Sequence, residues 1–136
     1  MKSTVTWNSG LAFTARQGGH SIPLDASLEA GGQDSGASPK GLLLSGLGGC
    51  TGIDVVAILE KMRVHLEGFE VQVSAELTDE HPKVFKSIHL RYAFRGPGLV
   101  MEKLEKAVIL SMDRYCGVSA MLAKAAPITW EIVVEP

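Results

Sequence analysis

The sequence predicts one α+β domain spanning residues 1–136, and three features of the chain lead to that prediction. Residues 4–26 contain short alternating segments, residues 39–64 form a long apolar stretch, and residues 69–95 alternate again. Strands therefore precede and follow a helix and pair with sequence neighbours, which favours α+β over a doubly wound sheet. A chain of 136 residues is long enough to bury a core without disulfides.

The N-terminal part of the chain has the pattern of three short strands. Residues 4–7 and 11–16 alternate around a polar turn that contains Gly10, which is typical of a β-hairpin. A third short strand is predicted at residues 20–26. The following segment, residues 31–37, is rich in glycine and polar residues, so we expect a mobile loop there.

The segment 38–62 organises the rest of the chain, and its sequence is SPKGLLLSGLGGCTGIDVVAILEKM. Ser38 and Pro39 predict a helix start, because Ser caps free amides and Pro fits the first helical position. Between residues 41 and 59 only Asp54 is charged, so the helix should be buried on nearly every face. Glycine inside a helix costs about 1 kcal/mol relative to alanine, so several glycines suggest close approach of another backbone. The glycines are Gly41, Gly46, Gly48, Gly49 and Gly52.

The C-terminal half returns to strands and then to helices. Residues 69–78 and 84–95 alternate and predict two strands. Residues 99–112 have the spacing of an amphipathic helix. A short helix containing Cys116 is predicted at residues 115–124, and residues 128–134 predict a closing strand.

Composition excludes several classes of function. The net charge is −2 with no basic run, which argues against nucleic-acid and membrane-surface partners. No signal peptide is expected, because residues 4–13 alternate. A charge and several glycines in the apolar helix also argue against a membrane span. Two cysteines in a chain that needs no disulfide predict a cytoplasmic protein whose thiols are either inert or redox-active.

The two cysteines lie in predicted helices, and each is next to a glycine. An isolated cysteine on an apolar helix is usually a small buried hydrophobe. Small neighbours instead leave room for another molecule to reach the sulfur, so both interpretations stay open. The four histidines are scattered and lack ligand spacing, so we expect no metal site.

Two motifs carry a family resemblance. The stretch SPKGLLLSGLGGCTGIDVV, followed later by RYCGVSAMLAKAAPITWEI, resembles the OsmC/Ohr family, and more closely its YhfA-like branch. That branch has a GGC-x-x-IDVV helix and a Y-C-x-V second site. The resemblance covers essentially the whole chain. It implies an OsmC-like fold, with antiparallel sheets around a long buried central helix, and an intertwined homodimer.

The resemblance also implies thiol-dependent reduction of small organic hydroperoxides in oxidative-stress defence. Cys50 would be the peroxidatic cysteine, which becomes a sulfenic acid, and Cys116 would be the resolving cysteine. A dithiol reductant of the lipoyl type would reopen the disulfide. No separate cofactor or metal is required.

Activation of Cys50 is where the sequence departs from the catalytic members. A thiolate needs positive surroundings, and Cys50 lies too far along the helix for the helix dipole to act. In the catalytic members an N-terminal arginine supplies the charge and is held by a glutamate after the helix-opening proline. Here that position is Lys40. Arg16 is the candidate arginine, and its alternative is a solvated residue at a strand end.

Two other charged residues lie near the cysteines in sequence. Asp54 is one turn after Cys50, where a free carboxylate would disfavour the thiolate, so we expect it to pair with a cation. Arg114 either supplies charge near the sulfurs or forms a surface salt bridge. If the supporting pair is lost, the alternative function is a non-catalytic dimer that binds small molecules or senses redox state. A structural dimer with inert thiols is a third possibility.

Overall fold

The computed structural model describes all residues from 1 to 136 and divides them into two compact units. The N-terminal unit is Met1–Leu43 and the C-terminal unit is Leu44–Pro136. The single domain of residues 1–136 stays a prediction.

The N-terminal unit contains an antiparallel sheet of three strands, which confirms the predicted hairpins. The strands are β1 (Thr4–Ser9), β2 (Ala12–Gln17) and β3 (His20–Leu24), and β2 lies in the middle. Both turns need glycine, because Gly10 has φ of 55° and Gly18 has φ of 56°. These two glycines therefore fix where each strand ends.

The glycine-rich loop after β3 is held by the buried side chain of Asp25. Its carboxylate accepts backbone N–H groups from Ala26 at 2.7 Å and from Gln33 and Ser35, both at 3.1 Å. The Ser35 hydroxyl also donates to it, at 2.7 Å. The side-chain and backbone hydrogen bonds from Ser35, supported by the other two amides, lower the pKa of Asp25 to about 2. The loop that the sequence predicted as mobile thus has a defined hydrogen-bonded conformation.

The long helix begins where the sequence predicted. It is α1 (Pro39–Lys61), and its residues from Leu44 onward belong to the C-terminal unit. The hydroxyl of Ser38 accepts the N–H of Gly41 at 3.1 Å, so Ser38 caps the first turn.

The C-terminal unit contains a second sheet of three strands in the order β4, β5, β6. Two helices and a π-helical turn lie between β5 and β6. The elements after α1 are β4 (Gly68–Leu77), β5 (Phe85–Arg95), α2 (Met101–Leu110), the π turn (Ser111–Tyr115), α3 (Gly117–Leu122) and β6 (Ile128–Glu135).

One feature of this sheet differs from the prediction of antiparallel sheets. β4 and β5 are antiparallel, but β6 runs parallel to β5, with Trp130 opposite Leu90. The reason is the long connection, because α2 and α3 carry the chain back to the end of the sheet where β5 began. The second sheet is therefore mixed.

The core of the C-terminal unit lies between α1, β5 and α2. Only one face of α1 contributes to it, through residues such as Leu47, Val55 and Leu59. Ile53 is 73% exposed and Val56 is also exposed. The sequence predicted burial of the helix on nearly every face, whereas only one face is buried in the single chain. The core residues from the other two elements are Ile88, Leu90, Tyr92, Phe94, Leu104, Ala107 and Val108.

The glycines of α1 have two different surroundings. A Cβ added to Gly48 would lie 3.1 Å from Val73 of β4, and one added to Gly52 would lie 3.7 Å from Val71. These two glycines let the helix pack closely on β4, mainly on its side chains. Gly46 and Gly49 face open space in the single chain, so close approach does not explain them there.

α1 is long and apolar enough to cross a membrane by length and composition, with a mean hydropathy of 1.9 in its most apolar window. Its buried face nevertheless belongs to the same apolar cluster as the strands and α2. α1 is therefore the core helix of a folded unit and not a membrane span.

Candidate redox site

The two cysteines are neighbours in the folded chain. Cys50 is half-buried on α1, and Cys116 is 3% exposed between the π turn and α3. Both thiols are free. Burial raises the pKa of the Cys116 thiol, hydrogen bonds from Ser119 lower it, and the neighbouring Cys50 thiol raises it further. The structure therefore brings together the two cysteines that the sequence singled out.

Cys116 forms hydrogen bonds with backbone groups on both sides, one through its N–H and one through its sulfur. Its N–H donates to the carbonyl oxygen of Ser111 at 2.7 Å, which is the five-residue spacing of a π turn. Its sulfur accepts the N–H of Ser119 at 3.3 Å, so Cys116 caps the start of α3. The sequence predicted two separate helices here and missed the π turn that joins them. Such turns occur frequently at functional sites.

A chain of hydrogen-bonded side chains lies beside the cysteines. The Tyr92 hydroxyl is 2.8 Å from the Thr51 hydroxyl, which is 2.7 Å from the hydroxyl of Ser111. The Ser111 hydroxyl donates to Oδ2 of Asp54 at 2.9 Å. The three hydroxyl-bearing residues are fully buried, whereas Asp54 is partly exposed. Burial raises the pKa of Tyr92 to about 12, although its hydrogen bond with Thr51 opposes the change.

The hydrogen-bonded network from Tyr92 to Asp54 corrects one prediction and adds residues that the sequence did not indicate. Asp54 was expected to pair with a cation, but its recorded partner is the Ser111 hydroxyl. The ion pairs of the chain lie elsewhere, at His89–Glu131, Arg91–Glu135 and Arg95–Glu67. The sequence contains only weak indications of these network residues. Thr51 follows Cys50 directly, and Ser111 is a polar residue on an apolar helix face.

The remaining candidates are on the surface. Arg16 is exposed in β2, opposite Thr4 and Ser21 on the neighbouring strands. Lys40 is exposed at the second position of α1. The action of Arg16 on Cys50 stays a prediction.

Arg114 is not among the ion pairs of the structure, so the suggested surface salt bridge is absent, and its effect on the sulfurs stays a prediction. Its guanidinium carbon lies 6.0 Å from the centroid of the Tyr115 ring, which is within reach of a cation–π contact. No group of three His, Cys, Asp or Glu side chains has an arrangement that would hold a metal ion.

The comparisons with known proteins establish the family. The family model for OsmC-like protein matches residues 32–131, and the chain belongs to this family. Protein YhfA of Escherichia coli strain K12 is 37% identical over 136 residues, which cover 98% of both chains.

Solved structures share the fold. A protein from Aquifex aeolicus VF5 superposes with a TM-score of 0.83 and 28% identity, covering 99% of this chain and 97% of that chain. The organic hydroperoxide resistance protein OsmC from Legionella pneumophila superposes with a TM-score of 0.72 and 17% identity. That match covers 98% of this chain and 97% of the other, and at this identity it supports the fold alone.

Proposed function

We propose that this protein reduces organic hydroperoxides with Cys50 as the attacking thiol and Cys116 as the resolving thiol. The observation that carries the proposal is the pairing of a half-buried thiol with a buried one. The thiolate is the reactive form of cysteine, and it must be reachable. Cys116 is buried and its pKa is raised, so the more exposed Cys50 is better suited to meet the substrate.

The reaction has three steps. The Cys50 thiolate attacks one oxygen of the peroxide, the O–O bond breaks, and the products are a Cys50 sulfenic acid and, after protonation, an alcohol. The Cys116 sulfur then attacks the Cys50 sulfur. The S–O bond breaks, the thiol proton leaves with the hydroxide as water, and a disulfide forms. A small dithiol reopens the disulfide by exchange and is itself oxidised.

The substrate class is supported by the comparisons. The Legionella pneumophila protein of the same fold is named organic hydroperoxide resistance protein OsmC. The present chain belongs to the OsmC-like family. We therefore propose an organic peroxide as substrate and a lipoyl-type dithiol as reductant. The cytoplasm is the proposed location, because a reducing compartment keeps both thiols available.

The test is consumption of cumene hydroperoxide in the presence of dihydrolipoamide. Wild type should turn over many times, because the dithiol regenerates both thiols. Cys50→Ser should abolish consumption. Cys116→Ser should consume about one equivalent and then stop or slow sharply, because the sulfenic acid has no resolving partner. Full activity of Cys50→Ser, or no activity in wild type, would refute the proposal.

Arg16 is proposed to favour the Cys50 thiolate. Arg16→Met should slow alkylation of Cys50 by iodoacetamide at neutral pH, while Arg16→Lys should keep most of the wild-type rate. Lys40→Glu should increase turnover if an acid at this position orients the arginine. Unchanged labelling and turnover in Arg16→Met and Lys40→Glu would remove both positions from the site.

A second copy of the chain is proposed to cover the exposed face of α1. That face includes Ile53 and Val56, together with the open positions Gly46 and Gly49. Sedimentation should therefore show a dimer at micromolar concentration. Ile53→Glu should weaken the dimer, because it places a charge on the apolar face, whereas Ile109→Glu on the exposed side of α2 is the matched control. A stable wild-type monomer would contradict the proposal.

Lys40 favours a second candidate function, a redox sensor that forms the disulfide without sustained turnover. The acid that the catalytic members use to hold the activating arginine is replaced here by a base. In this case peroxide should still link Cys50 to Cys116, but dihydrolipoamide should not support repeated consumption. Mass spectrometry of the linked peptides, run beside the turnover assay, separates the two functions.

A further inference from the structure

The hydrogen-bonded chain touches the segments that carry both cysteines. Thr51 is the residue directly after Cys50 on α1. Ser111 bonds with its side chain to Thr51 and Asp54 on α1, and with its carbonyl oxygen to the N–H of Cys116. A single residue therefore connects the Cys50 helix to the backbone of Cys116.

The direction of the hydrogen bonds follows from counting protons. The ionised carboxylate of Asp54 only accepts, so Ser111 gives its one hydroxyl proton to Asp54. Ser111 must then accept from Thr51, and Thr51, having used its own proton, must accept from the hydroxyl of Tyr92. The chain is polarised from Tyr92 towards Asp54 and has one arrangement only.

A fully connected polar chain in an apolar core restricts how α1 and the π turn pack. Each of these buried hydroxyls has a partner, and no buried side-chain polar atom of the protein lacks one. Sliding α1 relative to the π turn would leave a buried hydroxyl without its partner, which is unfavourable because water cannot replace the lost hydrogen bond. Apolar contacts alone are not directional and would tolerate such shifts more easily.

We propose that Thr51, Asp54, Tyr92 and Ser111 are positioning residues that hold Cys116 against Cys50 for disulfide formation. This rests on the proposed two-cysteine reaction and adds to it the residues that make the second step fast. The network acts on the condensation of Cys116 with oxidised Cys50 and leaves the first attack on the peroxide unchanged.

Disulfide geometry explains why this step depends on position. The two Cα atoms must come within about 4.4–6.8 Å, and the dihedral angle about the S–S bond is restricted. A displacement of about 1 Å at a reacting group can cost on the order of 100-fold in rate. Loosening of the π turn, which precedes Cys116 directly, should therefore slow closure of the disulfide.

The experiment measures two quantities in each variant. The first is the effective concentration of the two thiols, obtained from the Cys50–Cys116 disulfide in glutathione redox buffers. The second is the accumulation of Cys50 sulfenic acid, trapped with dimedone after one equivalent of cumene hydroperoxide. The test variants are Thr51→Val, which keeps the shape of the side chain, and Ser111→Ala.

Both test variants should lower the effective concentration by about tenfold or more, since the reacting sulfurs lose their orientation. Sulfenic acid should form at the wild-type rate but persist longer. Two matched controls keep the network. Thr51→Ser retains the hydroxyl, and Asp54→Asn retains an acceptor oxygen for Ser111 while removing the charge. Both controls should stay within about twofold of wild type, because the hydrogen bonds remain.

The outcomes separate this proposal from the proposed function. If Thr51→Val keeps the wild-type effective concentration while its unfolding midpoint falls, the network is only structural and the positioning role is refuted. If Ser111→Ala does not fold, Thr51→Val and Thr51→Ser still decide the question. If peroxide gives neither sulfenic acid nor the Cys50–Cys116 disulfide in wild type, the proposed function fails, and the glutathione measurement still tests the network.

Discussion

Asp25 and Asp54 are both carboxylates that organise their surroundings by accepting hydrogen bonds, but they do so over different distances along the chain. Asp25 receives its partners from residues no more than ten positions away. Asp54 receives one hydrogen bond, from Ser111, which is 57 positions away. Asp25 therefore shapes one loop of the N-terminal unit, whereas Asp54 connects two distant segments of the C-terminal unit.

The two carboxylates also differ in how many of their oxygens accept hydrogen bonds. Both oxygens of Asp25 accept N–H or O–H groups, and this lowers its pKa to about 2. Only Oδ2 of Asp54 is engaged, by a hydroxyl. We conclude that the Asp25 loop depends on the whole ionised carboxylate, while the Asp54 network depends on one acceptor oxygen.

The largest effect is expected at Tyr92, the far end of the Asp54 network. Tyr92 is fully buried, stacks with Phe69 and meets the edge of Trp130. Tyr92→Ala should cost about 3–5 kcal/mol of unfolding free energy, because it leaves a cavity in the core. Tyr92→Phe keeps the ring and should cost only about 1 kcal/mol. Urea unfolding measures both, and equal losses would show that the hydroxyl and not the ring carries the stability.

Asparagine substitution tests the contrast between the two carboxylates directly. Asp25→Asn would place an amide N–H group against the donors from Ala26, Gln33 or Ser35, so amide exchange at Gln33 and Ser35 should accelerate on the order of tenfold. Asp54→Asn should leave exchange around the π turn close to wild type. Hydrogen exchange followed by NMR measures both, and similar effects of the two substitutions would contradict the proposed difference between the two carboxylates.

Acid should release the Asp25 loop at lower pH than an ordinary aspartate would allow. The pKa of Asp25 in the folded state is about 2, below its ordinary value of 3.8. Its contribution to stability is therefore fully present above pH 3.8 and is lost as the pH falls through about 2. Exchange at Ser35, corrected for the intrinsic rate, should rise over this interval. Asp25→Asn is the control and should show no such dependence.

The smallest expected effect concerns Cys116, whose pKa is raised, whereas the pKa of Asp25 is lowered. Burial raises the pKa of this thiol above 9.0, so its stabilising contribution is present below pH 9.0 and is lost as the pH rises through the folded value. In Cys50→Ser the thiolate absorbance near 240 nm should appear only above pH 9.0. The variant lacking both cysteines corrects for tyrosine ionisation. A midpoint below 9.0 would contradict the role of burial.

Local patterns in the sequence are enough to predict the helices and strands and to indicate the family. Alternation located the strands, Ser38 and Pro39 located the start of α1, and the two cysteine motifs indicated the OsmC-like family that the comparisons confirm. These features are readable because they depend on side-chain periodicity and capping within a few residues. The same motifs selected Cys50 and Cys116, which the structure places together.

How distant segments of the chain meet is not readable from local patterns and follows from the folded structure. The parallel pairing of β6, the π turn before Cys116 and the network from Tyr92 to Asp54 leave no periodic signal in the sequence. The two network hydrogen bonds made by Ser111 join residues 60 and 57 positions apart. Such contacts depend on the packing of α1 against the sheet and α2, because a hydroxyl can serve as a cap, a surface group or a network member. The chain must fold before its surroundings select one of these roles.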